Sequence, residues 1–191
     1  METIRAFIAI NLDPEIRGYL SSLQQNLNLD AAKVKVNWVE EKNLHLTLKF
    51  LGNISPSQIE LIEIELKKIT SQYPSFFIKL LPEIGVFPSY KMPRVIWVGI
   101  KEGAAELTEI YNLVETRLYK KGFPRESKNF STHITLGRVK YLKDKDSLIR
   151  SLKSIHLESF SQKVKSIELM ESKLTPQGPL YGIIRQYPLA D

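Results

Sequence analysis

Histidine is scarce in this chain, which has three. Two of them stand in the same four-residue frame, His45-Leu46-Thr47-Leu48 and His133-Ile134-Thr135-Leu136, 88 residues apart. For this composition the coincidence has chance odds of roughly 1 in 10,000, so the repeat counts as a signal. An imidazole both takes and gives a proton near neutral pH. A pair of them facing one cleft suits a reaction that needs a base on one side of the reacting atom and an acid on the other. A structural histidine in a half-buried strand would explain one such motif; two in one frame favour chemistry.

The elements that must position these groups are strands. Strand side chains alternate faces, so His45, Thr47 and Lys49 share one face while Leu44, Leu46, Leu48 and Phe50 share the other. His133 and Thr135 repeat the arrangement, with Ile134 and Leu136 behind. Burial of the apolar face turns the His-Thr face the other way, toward water or a cleft. By strict alternation Arg138 falls on the wrong face, and Gly137 offers a place for a bulge that re-aims it.

Around the two motifs the chain alternates strands and helices. Thr3 to Asn11 reads as a strand. Asp13 and Pro14 then open a helix with Ile16, Leu20, Leu23 and Leu27 on one face. Asn28 to Lys35 is a polar connection and Val36 to Val39 a short strand. Ser55-Pro56-Ser57-Gln58 is a capping box that opens a second helix, with Ile59, Ile62, Leu66 and Ile69 facing inward, placed to cover the first His strand. Phe76 to Leu81 and Arg94 to Ile100 read as strands joined by a loop through Gly85, Phe87-Pro88 and Pro93. A third helix spans about Ala104 to Lys121 and stops at Gly122. Asp144 to Lys153 is a short helix, Phe160 to Met170 a strand, Leu174 to Pro179 a turn and Gly182 to Tyr187 the last strand. The expected fold class is α+β and bilobal: two pseudo-symmetric sheet-plus-helix lobes around a central cleft, residues 1–191 forming a single domain.

Composition sets the surroundings. Hydrophobic content of 43% and charged content of 25% are those of a globular protein. Cysteine is absent, which excludes disulfides and thiolate metal sites. No apolar run approaches the ~20 residues of a membrane span, and the first residues lack the layout of a signal peptide. A cytoplasmic monomer is expected. The net charge of +6 favours a polyanionic partner such as RNA, though lysines kept for solubility explain it equally well.

With these residues in view, the chain resembles the 2H phosphoesterases, in particular their RNA 2′,3′-cyclic phosphodiesterase branch, long called 2′-5′ RNA ligases. The resemblance rests on Arg5-Ala6-Phe7-Ile8-Ala9-Ile10, Asn43-Leu44-His45-Leu46-Thr47-Leu48-Lys49-Phe50-Leu51-Gly52 and Gly85-Val86-Phe87-Pro88. It continues through Arg94-Val95-Ile96-Trp97-Val98-Gly99, His133-Ile134-Thr135-Leu136-Gly137-Arg138 and Leu174-Thr175-Pro176-Gln177-Gly178-Pro179-Leu180-Tyr181. It implies a bilobal fold and opening of RNA 2′,3′-cyclic phosphate ends to 2′-phosphomonoesters. It implies His45 as proton donor and His133 as proton acceptor, an order that the residues alone leave open. It also implies the reverse step, 2′-5′ joining of RNA ends such as tRNA halves.

This chemistry needs fixed donors for the nonbridging phosphate oxygens. Thr47 and Thr135 can supply hydroxyls and Arg138 a guanidinium fork. Tyr181 is a candidate for stacking a base, and Trp97 and Phe87 stand as base-stacking or core residues. Lys49 is read as a phosphate contact or a surface lysine, and His156, without a following Thr, as structural. Lys140, Lys143, Lys145, Arg150 and Lys153 offer a basic track or a solvated helix face. No metal and no other cofactor are expected, since the two motifs bring no third ligand. The rival readings are a phosphodiesterase acting on other 2′-5′ or small cyclic nucleotides, and a non-catalytic module that binds RNA ends.

Overall fold

The structure is a computed structural model that describes residues 3–27, 29–176 and 178–191. Asn28, where the polar connection begins, and Gln177, in the last turn, lie outside the described residues, as do the first two residues. The elements in order are β1 (Ile4–Asn11), α1 (Pro14–Asn26), β2 (Val34–Trp38), a 3-10 turn (Glu41–Asn43), β3 (His45–Ile54), α2 (Pro56–Thr70), β4 (Phe76–Ser89), β5 (Met92–Glu102), α3 (Ala104–Tyr119), β6 (His133–Leu142), α4 (Lys145–Lys153), β7 (Ser161–Val164), β8 (Ser166–Thr175) and β9 (Gly178–Pro188).

Local chemistry sets the helix ends. Ser55 and Gln58 form the reciprocal capping box, with Pro56 inside the first turn. Asp144 caps α4 through Ser147 N–H. Asp13 behaves differently from expectation: its side chain makes no cap bond, and its backbone N–H is instead held by Gln162 on β7. Past α3, Gly122 adopts φ 89° and Phe123 N–H reaches back to the Leu118 carbonyl, the glycine-dependent stop. Leu107, Ile110, Val114 and Leu118 of α3 are fully enclosed, and truncating one to Ala would cost about 2–5 kcal/mol.

All the strands join one antiparallel sheet ordered β7-β4-β5-β6-β3-β1-β8-β9, with β2 as a further neighbour of β6. The order divides evenly at the β6–β3 junction. Four strands lie on each side, and each half is closed inward by a His strand. The halves meet through one pairing, Leu46 with Ile134, and beyond it β2 continues along the same edge of β6. One core, built from the four helices and the inward face of both halves, lies under the sheet. The opposite face carries a small separate cluster of Phe7, Ala9 and Met170 under Tyr181.

Three expectations change. The segment 82–93 is strand rather than loop: β4 and β5 form one long hairpin, with pairing irregularities that accommodate Pro82 and Pro88. The expected strand Phe160 to Met170 divides at Lys165 into β7, on the β4 edge, and β8, beside β1 at the other side of the sheet. Helix α2 packs mainly on α3, β8 and β9, and α3 is the helix that lies against β3.

Candidate active site

His45 and His133 are the first residues of β3 and β6, and the ten-residue strands show the same burial pattern through nine positions. Each imidazole is held in the same way. His45 Nδ1–H donates to the Asn43 carbonyl at 2.7 Å, and His133 Nδ1–H to the Ser131 carbonyl at 2.8 Å. A carbonyl only accepts, so each Nδ1 carries hydrogen, and each Nε2 is left as the atom that can take or give a proton. His45 Nε2 meets Thr47 Oγ1 at 2.8 Å. Among the described residues His133 Nε2 has no protein partner.

Both strands then break their alternation at the same place. Opposite β1, Thr47 pairs with Ala9 and Lys49 with Ile8, so Leu48 is an extra residue. Opposite β5, Thr135 pairs with Trp97 and Gly137 with Ile96, so Leu136 is the extra one. At each bulge two successive residues are buried: Leu48 with Lys49, and Leu136 with Gly137. The following residue returns to the cleft face. Arg138 therefore stands exposed on the same face as His133 and Thr135, and Phe50 holds the equivalent place beyond His45.

The same bulge removes Lys49 from the site. It is 2% exposed, pairs with Glu115 of α3 and donates to the Pro124 carbonyl, while Glu115 also accepts Glu126 N–H. Strict alternation placed Lys49 beside His45; the bulge at Leu48 overturns that. The buried pair moors the loop that leads into His133, and Phe130 on that loop lies flat on Tyr111 at 4.1 Å. In the other half Gln24 of α1 is the buried polar brace. Its amide donates to the carbonyl of the bulge residue Leu136 at 2.9 Å and to that of Val39 at 3.0 Å. Neither role could be read from the sequence, because both depend on a carbonyl or carboxylate that only the fold brings near.

Aromatic rings wall each imidazole. His45 lies 4.9 Å from Phe7 and 5.3 Å, edge-on, from Tyr181. His133 lies 5.0 Å, edge-on, from Phe87 and 6.1 Å from Trp97, and those two rings stack at 4.8 Å. Trp97 lies over Gly85, where a Cβ would come within 2.2 Å of its ring, so only glycine leaves room. Trp97 and Phe87 thus belong to the wall of the cleft. Asn43, buried at 4% exposure, ties the His45 turn to the Tyr181 hairpin by donating to the Pro179 carbonyl at 3.0 Å. Phe7 and Asn43 carried no signal beyond their place in the motifs. His156 lies exposed between α4 and β7, outside the cleft.

Burial is the main influence on both imidazoles. It pushes the His45 pKa below its ordinary value of 6.5; the Asn43 carbonyl opposes this and the charge of His133 adds to it. Burial likewise lowers His133, opposed by the Ser131 carbonyl and reinforced by Arg138. Burial raises the Tyr181 phenol, and the nearby charges of Arg138 and Arg5 pull it back down. Arg138 therefore acts electrostatically on groups of both halves, and Arg5 is a further cation near Tyr181. Among the described residues no three His, Cys, Asp or Glu side chains gather as a metal-binding group, and no helix is long and apolar enough to cross a membrane.

The family model of the LigT-like phosphoesterases matches this chain twice, over residues 10–97 and 98–181, one match for each His motif. A protein of Aquifex aeolicus (strain VF5) named RNA 2′,3′-cyclic phosphodiesterase is 36% identical over 192 residues, covering 99% of both chains. One of the same name from Archaeoglobus fulgidus is 36% identical over 185 residues, covering 96% of this chain and 99% of its own. Among solved structures, a Thermus thermophilus protein superposes with a TM-score of 0.82 at 23% identity, over 97% of this chain and 98% of that one. Escherichia coli LigT complexed with 3′-AMP gives 0.78 at 23% identity over the whole of both chains. These two likenesses concern the fold.

Proposed function

The chain belongs to the LigT-like phosphoesterase family, and from that premise we propose that it hydrolyses RNA 2′,3′-cyclic phosphate ends to 2′-phosphomonoesters by proton transfer between His45 and His133, without a metal ion. The observation that carries the reading is the duplicated anchor: two imidazoles at equivalent strand starts, each with Nδ1 tied to a carbonyl two residues back and Nε2 left for proton transfer.

In the proposed step a water oxygen attacks phosphorus in line with the P–O3′ bond. One Nε2 takes the water proton as the new P–O bond forms. The opposite imidazolium gives its proton to O3′ as the old bond breaks. The products are a 2′-phosphomonoester and a free 3′-hydroxyl. His133, whose Nε2 meets no protein group among the described residues, is assigned as the base; His45 is the acid. Burial keeps both neutral in the free protein, and the phosphate anion supplies the charge that lets one of them protonate. Arg138 and the hydroxyls of Thr47 and Thr135 hold the nonbridging oxygens, on which charge builds in the transition state. Phe7, Tyr181, Phe87 and Trp97 fix the rings and exclude water from their flanks. With an RNA 5′-hydroxyl attacking phosphorus in place of water and O3′ leaving as before, the same groups would join RNA ends such as tRNA halves through a 2′-5′ bond.

The test is an end-group assay. A short RNA bearing a 2′,3′-cyclic phosphate is incubated with the protein in EDTA, and the product is identified by mass and by release of its phosphate with a phosphatase. A 2′-phosphate is expected. A 3′-phosphate, or turnover only after a divalent metal is added, would overturn the reading. Turnover confined to small cyclic or 2′-5′ nucleotides would move it to another substrate.

A further inference from the structure

The two halves of the site resemble each other near the histidines and differ beyond them. On the β6 side the cleft face does not end at Arg138. Strand β2 pairs with the outer part of β6, and its register puts Asn37 opposite Arg138 and Lys35 opposite Tyr141, with Lys140 as an extra residue between. The partners Val34–Leu142, Val36–Val139 and Trp38–Gly137 face the core. Lys35, Asn37, Arg138, Lys140 and Tyr141 are all exposed. They form one strip, continuous with His133 and Thr135, that runs about 26 Å from His133 to Tyr141 at strand rise.

Its charge is unspent. Lys35, Lys140 and Lys143 have no ion-pair partner among the described residues, whereas Asp30 and Asp144, the nearby acids, are both engaged by Lys33. Lys143 Nζ sits 5.5 Å over the ring of Tyr141, a residue that is 40% exposed. An exposed aromatic ring set among free lysines is the arrangement that holds single-stranded nucleic acid, with phosphates on the cations and a base on the ring. The pseudo-symmetric strip of the other half lacks it. There Lys49 is turned inward, and the β1–β3 ribbon presents Arg5, Phe50 and Asn53.

We propose that the β2–β6 ribbon is a binding track for the single-stranded RNA that lies 5′ of the cyclic phosphate, with Tyr141 stacking a base and Lys35, Lys140 and Lys143 holding phosphates. The proposal rests on the reading of the site given above. It assigns the RNA body an exit across one half of the molecule, and it makes chain length, as well as the terminal phosphate, a determinant of affinity.

The experiment uses the full chain and two probes. The first is a fluorescent single-stranded RNA of about 12 nucleotides ending in a 2′-phosphate, followed by anisotropy across a salt series. The second is cytidine 2′,3′-cyclic phosphate, followed by turnover. Tyr141→Ala should weaken RNA binding about tenfold. The triple variant Lys35→Ala, Lys140→Ala, Lys143→Ala should weaken it at least as much and cut the slope of log affinity against log salt by about 2, from roughly 0.7 per lost phosphate contact. A control triple, Lys101→Ala, Lys120→Ala, Lys163→Ala, removes the same charge elsewhere and should change binding by less than about threefold. Cytidine cyclic phosphate turnover should stay native in all of them, which also shows that they are folded. Native RNA affinity in the track variants, or equal loss in the control triple, would overturn the track. Failure of the native protein to open both cytidine cyclic phosphate and the cyclic-phosphate RNA of the end-group assay would instead overturn the functional reading, and anisotropy would still decide the track.

Discussion

The two His strands start alike and diverge after four residues, and the divergence divides the work between them. β3 spends its bulge on a buried lysine that reaches across to α3 and to the loop leading to His133. β6 has glycine at the equivalent place, and a Cβ there would lie 2.6 Å from both Trp38 and Val36, so β2 can pack directly on the strand. One strand therefore stabilises the partner's approach, and the other opens an edge for a further strand. One position later the same offset gives Phe50 against Arg138. A duplicated scaffold has kept its two imidazoles in register while the exposed arginine of the cleft face stands on one side only.

If the halves act as one device, the largest effects lie in the shared residues. His45→Ala and His133→Ala should each lower kcat by about 10²–10⁴, and the double variant should fall little below the worse single one. Multiplicative losses in steady-state kinetics would break the idea of a joint mechanism. The next effect concerns stability. Lys49→Met leaves Glu115 buried without its partner and should cost about 3–5 kcal/mol in urea unfolding, with Lys49→Met/Glu115→Leu recovering most of it. An unchanged midpoint would mean that the pair does not brace the loop.

The cleft-face pair comes third. Arg138→Ala should reduce kcat/KM about 100-fold, whereas Phe50→Ala, at the matching position, should stay near native in cytidine cyclic phosphate turnover. Equal losses would erase the asymmetry. The smallest effects are electrostatic and are read by NMR titration of the imidazoles. Both should titrate below 6.5. Arg138→Met should raise the His133 pKa, because it removes a neighbouring positive charge, and His133→Gln should raise that of His45 for the same reason. Since both folded pKa values are depressed, the unfolded chain binds more protons below pH 6.5. Their contribution to stability is therefore present above 6.5 and is lost as pH falls through the folded values, which a Tm series from pH 7.5 to 5 would show as a decline.

Much of this was legible in the chain because it is local. The capping box at Ser55, the stop at Gly122 and the apolar stripe of α3 each lie within a few residues. The His-Thr frame needs only strand alternation to put both side chains on one face. What the chain did not disclose depends on partners far away in sequence. Gly137 hinted at a bulge, but the extra residues at Leu48 and Leu136 are defined only by the registers against β1 and β5, and they decide the directions of Lys49 and Arg138. The division at Lys165 depends on two different neighbours, β4 and β1. The aromatic walls join Phe7 to Tyr181 and Phe87 to Trp97, and no spacing rule links Phe7 with Tyr181.

The central claim is that His45 and His133 stand on opposite sides of the phosphate as acid and base. The measurement that tests it most directly uses a cyclic substrate with sulfur in place of the bridging 3′ oxygen, a leaving group that departs without a proton. The account predicts that this substrate restores His45→Ala to near-native turnover while His133→Ala stays inactive, because only the acid has become dispensable. Rescue of neither variant, or of both alike, would contradict the acid–base pair, and rescue of His133→Ala alone would reverse the assignment.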